Sequence, residues 1–562
     1  GSIAYDSYYY SRKKYSKTFP YYLARRDAED PDYIYLIPQS EESIWSVSTG
    51  WDKNRKVYME FGIDYNRTFG LHKTTALILY NQSKYYSPSL QYYVPNAYQG
   101  LVGRLTYEYA SRYLAEFNMG YNGTENFAKG KRFGFFPAVS LGWVISEEKF
   151  FPKNNIVKYL KVRGSYGEVG NDQIGGDRFL YLPSSYGAAS DSGVNKYNFG
   201  LASNPYTSLM IVENKIGNPD LTWEKAKKMN VGVDINLFNN CLTASFDIFK
   251  EKRNNILANR STSPMIIGAN LPAYNFGEME NRGWEMDLNF RHHIQDFHYW
   301  ARFNYSFARN EIIYMDEVQK RYDYQMTTGR RKNQFFGLIF DGYYNSWEEI
   351  NALDRPKSSW SGNQLQPGDV KYIDVNQDGV IDDYDMVPIG YTPVPEIIYG
   401  FSFGAQYKGF DFSILFQGAD NVSIKYFGRS MWPFAKGEES AKSLIKERWT
   451  QERYEAGEKI TFPRLSLNPN GETDHNYRPS TLWIRDASYL RLKNLEVGYT
   501  FTGGFVKRLN LNSVRLYFNG SNLFTWTDVV DLDPEAPSRS GNVEINTYPL
   551  QKVYNIGLNI NF

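Results

Sequence analysis

The sequence predicts an all-β chain, a transmembrane antiparallel β-barrel with long extracellular loops. Three observations carry that reading. Apolar and polar residues alternate in stretch after stretch, the connections alternate in length, and the chain is aromatic without being hydrophobic. Tyr, Trp and Phe make up 17 % of 562 residues, yet mean hydropathy is −0.55. Aromatic girdles at two membrane interfaces use that composition, because rings sit at headgroup level without lengthening any apolar run. No window approaches the roughly 18 uninterrupted apolar residues of a membrane helix. A membrane-spanning form of this chain is therefore a closed barrel, which leaves no backbone group unpaired in lipid.

The alternation is clearest at Lys552 to Phe562, where Tyr554, Ile556, Leu558, Ile560 and Phe562 are separated by Asn555, Gly557, Asn559 and Asn561. Successive strand side chains point to opposite faces, so one face is apolar and the other small and polar. The same pattern runs upstream. Val57, Met59, Phe61, Ile63 and Tyr65 oppose Glu60, Gly62 and Asp64, and a second run follows the Gly70-Leu71 turn. Tyr113 to Tyr121 alternates likewise. Met229 to Leu237 precedes an Asn239-Asn240 turn, since Asn tolerates positive φ, and Leu242 to Ile248 runs back. Trp284, Met286, Leu288 and Phe290 oppose Glu285, Asp287 and Asn289, and Tyr399 to Tyr407 leads through Lys408-Gly409 into Phe410 to Phe416. About sixteen strands are readable by this period of two. Leu490 and Leu492 fall out of phase with Leu495, Val497 and Tyr499, which predicts a β-bulge near Lys493-Asn494.

A soluble sandwich gives the same alternation. Loop length separates the two. Short connections at Gly70-Leu71, Ala110 to Arg112, Ser146 to Asn155, Asn239-Asn240, His292 to Phe297, Lys408-Gly409 and Thr502 to Leu511 take turns with long ones. The long ones are residues 171–223, 252–275, 311–396, 418–486 and 525–551. Outer-membrane barrels have short periplasmic turns and longer extracellular loops, and a sandwich has no reason to sort its loops this way. The domain reading is one partial barrel over 1–562, with extracellular loops 171–223, 311–396 and 418–486. The last strand descends from a long loop, so the expected location is a bacterial outer membrane with the carboxy terminus at the periplasmic side.

Sixty-three basic and 62 acidic residues leave a net charge of +1, which argues against nucleic acid as a partner. Cys241 is the single cysteine and is expected in a strand, buried and structural. No signal peptide is visible at the start. Gly1-Ser2 also reads as a cloning scar, but Ile3, Tyr5 and Tyr9 already alternate, so the chain is expected to begin in mid-strand.

Catalytic signatures are lacking: the five histidines show no His-Glu-x-x-His spacing, and neither Gly-x-Ser-x-Gly nor a phosphate-binding loop occurs. An enzyme is not expected. One motif carries chemistry. Asp374 to Asp385 follows the calcium-loop spacing, with oxygen donors from Asp374, Asn376, Asp378, the Val380 carbonyl, Asp382 and Asp385. Gly379 suits the sharp turn. Asp385 stands where an EF-hand has Glu, so bidentate closure is weaker, and an acidic Asx-turn loop without metal remains the alternative. A structural Ca²⁺ is the expected cofactor. Trp347, Trp360 and Trp432 are weak candidates for stacking on substrate, Trp also being frequent where loops pack together. Glu438 to Tyr454 has the spacing of a short surface helix.

Several motifs together resemble one family: Gly217-Asn218-Pro219-Asp220-Leu221-Thr222-Trp223-Glu224, Gly368-Asp369-Val370-Lys371-Tyr372, Pro463-Arg464-Leu465, the run Trp483 to Asn494, and Gly520-Ser521-Asn522-Leu523-Phe524-Thr525. They look like the barrel of SusC/RagA-like TonB-dependent outer-membrane transporters of Bacteroidetes. The resemblance implies active import of oligosaccharides or peptides, a SusD-like surface lipoprotein as partner, and energy from the TonB complex through an amino-terminal segment. No plug or TonB box is found in these residues. A plugged barrel of this kind has about 22 strands, so the remaining strands and the plug are expected upstream of Gly1, and the final strand is expected to lack its closing partner. A passive porin and a barrel-borne adhesin are the alternatives.

Overall fold

The wall of the molecule follows from the period-two pattern. In the computed structural model, sixteen strands form one antiparallel sheet in strict sequence order. They are β1 (Ser2–Ser16), β2 (Ser46–Phe69), β3 (His72–Tyr86), β4 (Asn96–Tyr109), β5 (Tyr113–Thr124), β6 (Phe133–Val144), β7 (Val157–Asn171) and β8 (Glu224–Leu237). The second half comprises β9 (Leu242–Ala258), β10 (Tyr274–Ile294), β11 (Phe297–Tyr314), β12 (Ile397–Tyr407), β13 (Phe410–Asp420), β14 (Tyr489–Phe501), β15 (Ser513–Thr527) and β16 (Val553–Asn561). The structure describes residues 1–562 except 21, 27–33, 39, 91–92, 176–177, 184–185, 189–195, 202–205, 210, 214–215, 263–270, 361–364, 427–431, 435–442, 467–473, 531, 536–541 and 544–549. Among the described residues β1 pairs with β2 alone and β16 with β15 alone.

Register puts like with like. Ala244, Leu288, Phe303, Phe401, Phe416 and Leu492 stand side by side across six neighbouring strands, one apolar row of the outward face. The turns sort by length at most positions, but the short-side connection 145–156 is longer than 87–95 and 125–132 at the opposite end. Left-handed residues make the tight ones: Gly70, Ala110-Ser111, Phe238 to Asn240, Gln295 and Lys408-Gly409 all have positive φ. The bulge also lies where the phase slip put it, because the pairing of β14 with both neighbours shifts across Lys493.

Three expectations are corrected. Cys241 lies in the turn before β9, half-buried, with its N–H on the Phe238 carbonyl. A further long connection, 17–45, separates β1 from β2. Within Glu438 to Tyr454 there is a 3₁₀ turn, Ser443–Glu447, and a one-turn helix, Gln451–Glu455, with an Arg448–Phe462 bridge between them. Residues 438–442 of that stretch lie outside the described ones.

The main hydrophobic core is not in the wall. It sits in the long connections, where Leu338, Val370, Tyr372, Trp449, Phe462 and Trp483 are buried together. A single-layer wall has no interior of its own, so a buried apolar cluster forms only where loops fold over one another.

Candidate functional site

The inward face is built from charged residues that the wall neutralises within itself. Arg163 on β7 donates to Asp247 on β9 at 2.7 Å and to Asp234 on β8 at 3.1 Å, and Ser245 donates to Asp234 at 2.8 Å. To reach β9 the guanidinium must cross β8, and the residue it crosses is Gly232. A Cβ there would lie 2.7 Å from the Arg163 guanidinium carbon and 2.6 Å from the Asp247 carboxylate. The same device recurs on β13–β15. Arg515 bonds Asp411 and Glu496, and a Cβ on Gly498 would lie 2.8 Å from both the guanidinium and Asp411. Charge-assisted pairs of this kind hold a polar, hydrated surface in place while leaving little net charge on it.

Above the wall, connections 311–396 and 418–486 fold into one module. Asp369, nearly fully buried, accepts from Arg464 at 2.6 Å, from the Asn476 amide at 2.8 Å and from the Gln366 N–H at 2.8 Å. His475 lies beside it, its Nε2 2.8 Å from the Val370 carbonyl and its Nδ1 2.7 Å from Ser358 Oγ. Burial pulls its pKa well below the ordinary imidazole range. A third network fixes connection 525–551 to β14, where Arg491, 2 % exposed, bonds Asp533 at 2.7 Å and also Glu535. Burial alone would raise the Asp533 carboxyl; Arg491 and the N–H groups of Glu535 and Leu550 hold it below the usual range. Sequence reasoning singled out none of these networks.

The calcium-type loop is formed in part. Gly379 has φ +83° and donates its N–H to one Asp374 oxygen at 2.8 Å. The other Asp374 oxygen is buried with no hydrogen-bond partner. Asn376 donates to Asp378 at 3.0 Å and accepts from its N–H, while Val380 N–H bonds the remaining Asp378 oxygen. Asp382 caps Tyr384, and fully buried Asp385 accepts from the N–H groups of Val375 and Asp382 at 2.8 and 2.9 Å. Among the described residues no three His, Cys, Asp or Glu side chains converge on a point. The donors are thus gathered on one loop, with one bare oxygen, but not closed into a cage. Of the tryptophans, Trp360 and Trp432 pack against the module core, Arg478 covering one and Tyr477 the other, while Trp347 is exposed.

A curled antiparallel wall with a greasy outside, an ion-paired inside and a folded module over its long-loop end defines the class of outer-membrane β-barrels. The particular family follows from comparison. The model for "TonB dependent receptor-like, beta-barrel" matches residues 2–523, and the chain belongs to that family, which is an outer-membrane one. It is SusC-like: TonB-dependent receptor SusC of Bacteroides thetaiotaomicron is 28 % identical over 84 % of this chain and 44 % of that protein. TonB-dependent receptor P3 of Formosa agariphila is 28 % identical over 82 % of this chain and 45 % of that protein. The RagAB peptide importer in its "open-open" state shares the fold, with TM-score 0.71, 20 % identity, and all of this chain on 59 % of that one. The chain spans about half the length of the curated relatives it matches.

Proposed function

We propose that this chain forms the wall and outer loops of an importer that carries oligosaccharides or peptides across the outer membrane. Energy comes from the TonB complex, and a SusD-like surface lipoprotein works with it. The observation that carries the reading is the inward face of internally paired charges lying beneath a loop module with its own packed core, a hydrated passage with a structured mouth. A passive porin is the second reading, favoured by the same hydrated face. Uptake of a labelled glycan and peptide panel by intact cells separates the two. Import saturates and stops in cells lacking TonB, whereas uptake that continues unchanged there rules the importer out. The lipoprotein is tested by purification in mild detergent, and its absence from the isolated complex removes it.

The long connections face the exterior and the carboxy terminus the periplasm. Leu353 is fully exposed on connection 311–396. With Cys241 changed to Ser, a Leu353→Cys variant is labelled on whole cells by a membrane-impermeant maleimide; labelling only after lysis reverses the orientation.

The loop Asp374 to Asp385 holds one structural Ca²⁺ through Asp374, Asn376, Asp378, the Val380 carbonyl, Asp382 and Asp385, supported by the bare buried oxygen of Asp374. Its role is to stiffen connection 311–396, since the loop's Val380-Ile381 pairs with Lys357-Ser358. Titration calorimetry on chelator-stripped protein shows binding below about millimolar Ca²⁺. No heat in that range removes the site.

A further inference from the structure

The outward face changes character within one step toward the long-loop end of β9, β10 and β11. Its rows there read Phe246–Met286–Tyr305, then Ile248–Trp284–Phe307, then Lys250–Arg282–Arg309. The last places three cations directly opposite one another, an arrangement that repels across a sheet. Each cation has a carboxylate within 3.9 Å, and the next row on this face, Lys252–Glu280–Glu311, supplies two of them, but the pairing is uneven. Lys250 meets Glu280 at 2.9 Å, but Arg282 reaches Glu311 only at 3.9 Å with 62 % of its side chain exposed. Glu396 is divided between Arg309, at 2.8 Å, and Arg331.

Beside this row the chain 329–331 runs along β11, the Gly329 N–H on the Ile312 carbonyl at 2.7 Å and the Ile312 N–H on that of Arg330 at 2.8 Å. Between them opens a cavity of about 280 Å³ lined by Arg282, Arg309, Arg330 and Arg331, with Glu311 at its side. Planar guanidinium forks match phosphate oxygens in pairs. The height fits a lipid. Trp284 stacks on Tyr305 at 4.7 Å, an aromatic pair of the kind that lies at a membrane interface, and the cationic row is two residues further along. A rise of about 3.3 Å per residue on strands tilted by about 40° puts it about 5 Å beyond the belt, at headgroup level.

We propose that the Lys250–Arg282–Arg309 row binds the phosphate groups of an anionic lipid in the leaflet at the long-loop end of the barrel. Arg330, held by the Met326 and Tyr324 carbonyls, and Arg331, held by Glu396, form the wall of the cavity behind it. The name of that leaflet, outer, rests on the orientation proposed above; the site does not. The row faces away from the lumen, so a soluble anion in transit does not meet it.

The test uses the full-length protein in nanodiscs containing diphosphorylated lipid A, the same lipid stripped of phosphate, or neither lipid but added inorganic phosphate, with bound lipid counted by native mass spectrometry. Diphosphorylated lipid A binds and the stripped lipid does not. A Lys250→Gln/Arg282→Gln double variant binds about thirtyfold more weakly, two basic residues' attraction to an anionic surface. The charge-keeping pair Lys250→Arg/Arg282→Lys binds more tightly than the double Gln variant, the lumen-facing Arg302→Gln binds like wild type, and thermal unfolding followed by circular dichroism shows each variant folded. Equal binding of the stripped lipid, or a double variant indistinguishable from wild type, overturns the proposal. So does inorganic phosphate bound as tightly as the lipid, which assigns the cavity to a free anion. A nanodisc presents both leaflets alike, so failure here is distinct from a reversed orientation, which the Leu353→Cys labelling reads.

Discussion

His475 is expected to make the stability of the loop module depend on pH. The Val370 carbonyl can only accept, so Nε2 carries the proton and Nδ1 accepts from Ser358 Oγ–H; the ring is neutral. Burial places its folded pKa below the unfolded value of about 6.5. As pH falls from about 6.5 toward the depressed folded pKa, the unfolded chain binds the proton and the native one does not. Stability is then lost with falling pH, at up to about 1.4 kcal/mol per unit. Proteolysis of connections 311–396 and 418–486 is expected to quicken between pH 7.5 and 5, and a His475→Gln variant to be weaker but flat over that range. An unchanged pH profile in that variant would remove His475 as the cause. Asp369 makes a sharper demand. Asp369→Ala strands Arg464, whose side chain is 14 % exposed, and a buried ion pair broken on one side costs about 3–5 kcal/mol. The module is expected to become protease-sensitive while the wall strands stay protected in hydrogen exchange. Equal protection of module and wall in that variant contradicts this.

At the scale of the element, the bulge at Lys493 decides where Arg491 points. With the extra residue, Leu492 stands opposite Phe416 and Leu490 opposite Gly418 on the outward face, so Arg491 turns inward to Asp533 and Glu535. Deleting Lys493 removes only the extra residue: Asn494 can still pair with Leu415 and Leu492 with Phe416, so simple alternation is restored with all three faces kept. Arg491 then still faces inward to Asp533 and Glu535, whereas Arg491→Ala leaves Asp533 without its cation, at a cost of several kcal/mol. Gel mobility and limited proteolysis should show connection 525–551 released in Arg491→Ala and still tethered in the Lys493 deletion; release in the deletion as well would mean that the bulge itself holds the connection. This slip was legible in the sequence because a phase error in a period-two pattern is local. Strand count and loop parity were legible for the same reason, and Asn239-Asn240 and Lys408-Gly409 announced their turns through residues that accept positive φ. Partnerships across distance were not. His475 meets Ser358 and Val370 across 117 and 105 residues, and Arg163 reaches Asp247 across 84. Parity places Arg163 and Asp247 on the same face, but only lateral register brings them together over Gly232. In the calcium-type loop the spacing was readable, whereas the capture of the Asp385 oxygens by backbone N–H groups was not.

For the whole molecule the question is which face of the wall meets lipid, since alternation alone allows either. Leu288 stands second in the outward row that runs from Ala244 to Leu492, with Ala244 and Phe303 as its lateral neighbours. Asn289, one residue on, pairs with Arg302 and Thr243 on the other face. An arginine on the lipid face at the bilayer midplane costs about 2–4 kcal/mol, and on a wet lumen face little. Leu288→Arg is therefore expected to lower the unfolding free energy in lipid vesicles by that amount, and Asn289→Arg by less than about 1 kcal/mol. The two substitutions are adjacent in sequence and alike in size and charge, so a difference between them reports the side of the wall and not the chemistry of arginine. Equal losses would mean that both faces are buried against protein, as in a sandwich. The reverse order would turn the wall inside out and carry the cationic row of Lys250, Arg282 and Arg309 into the lumen.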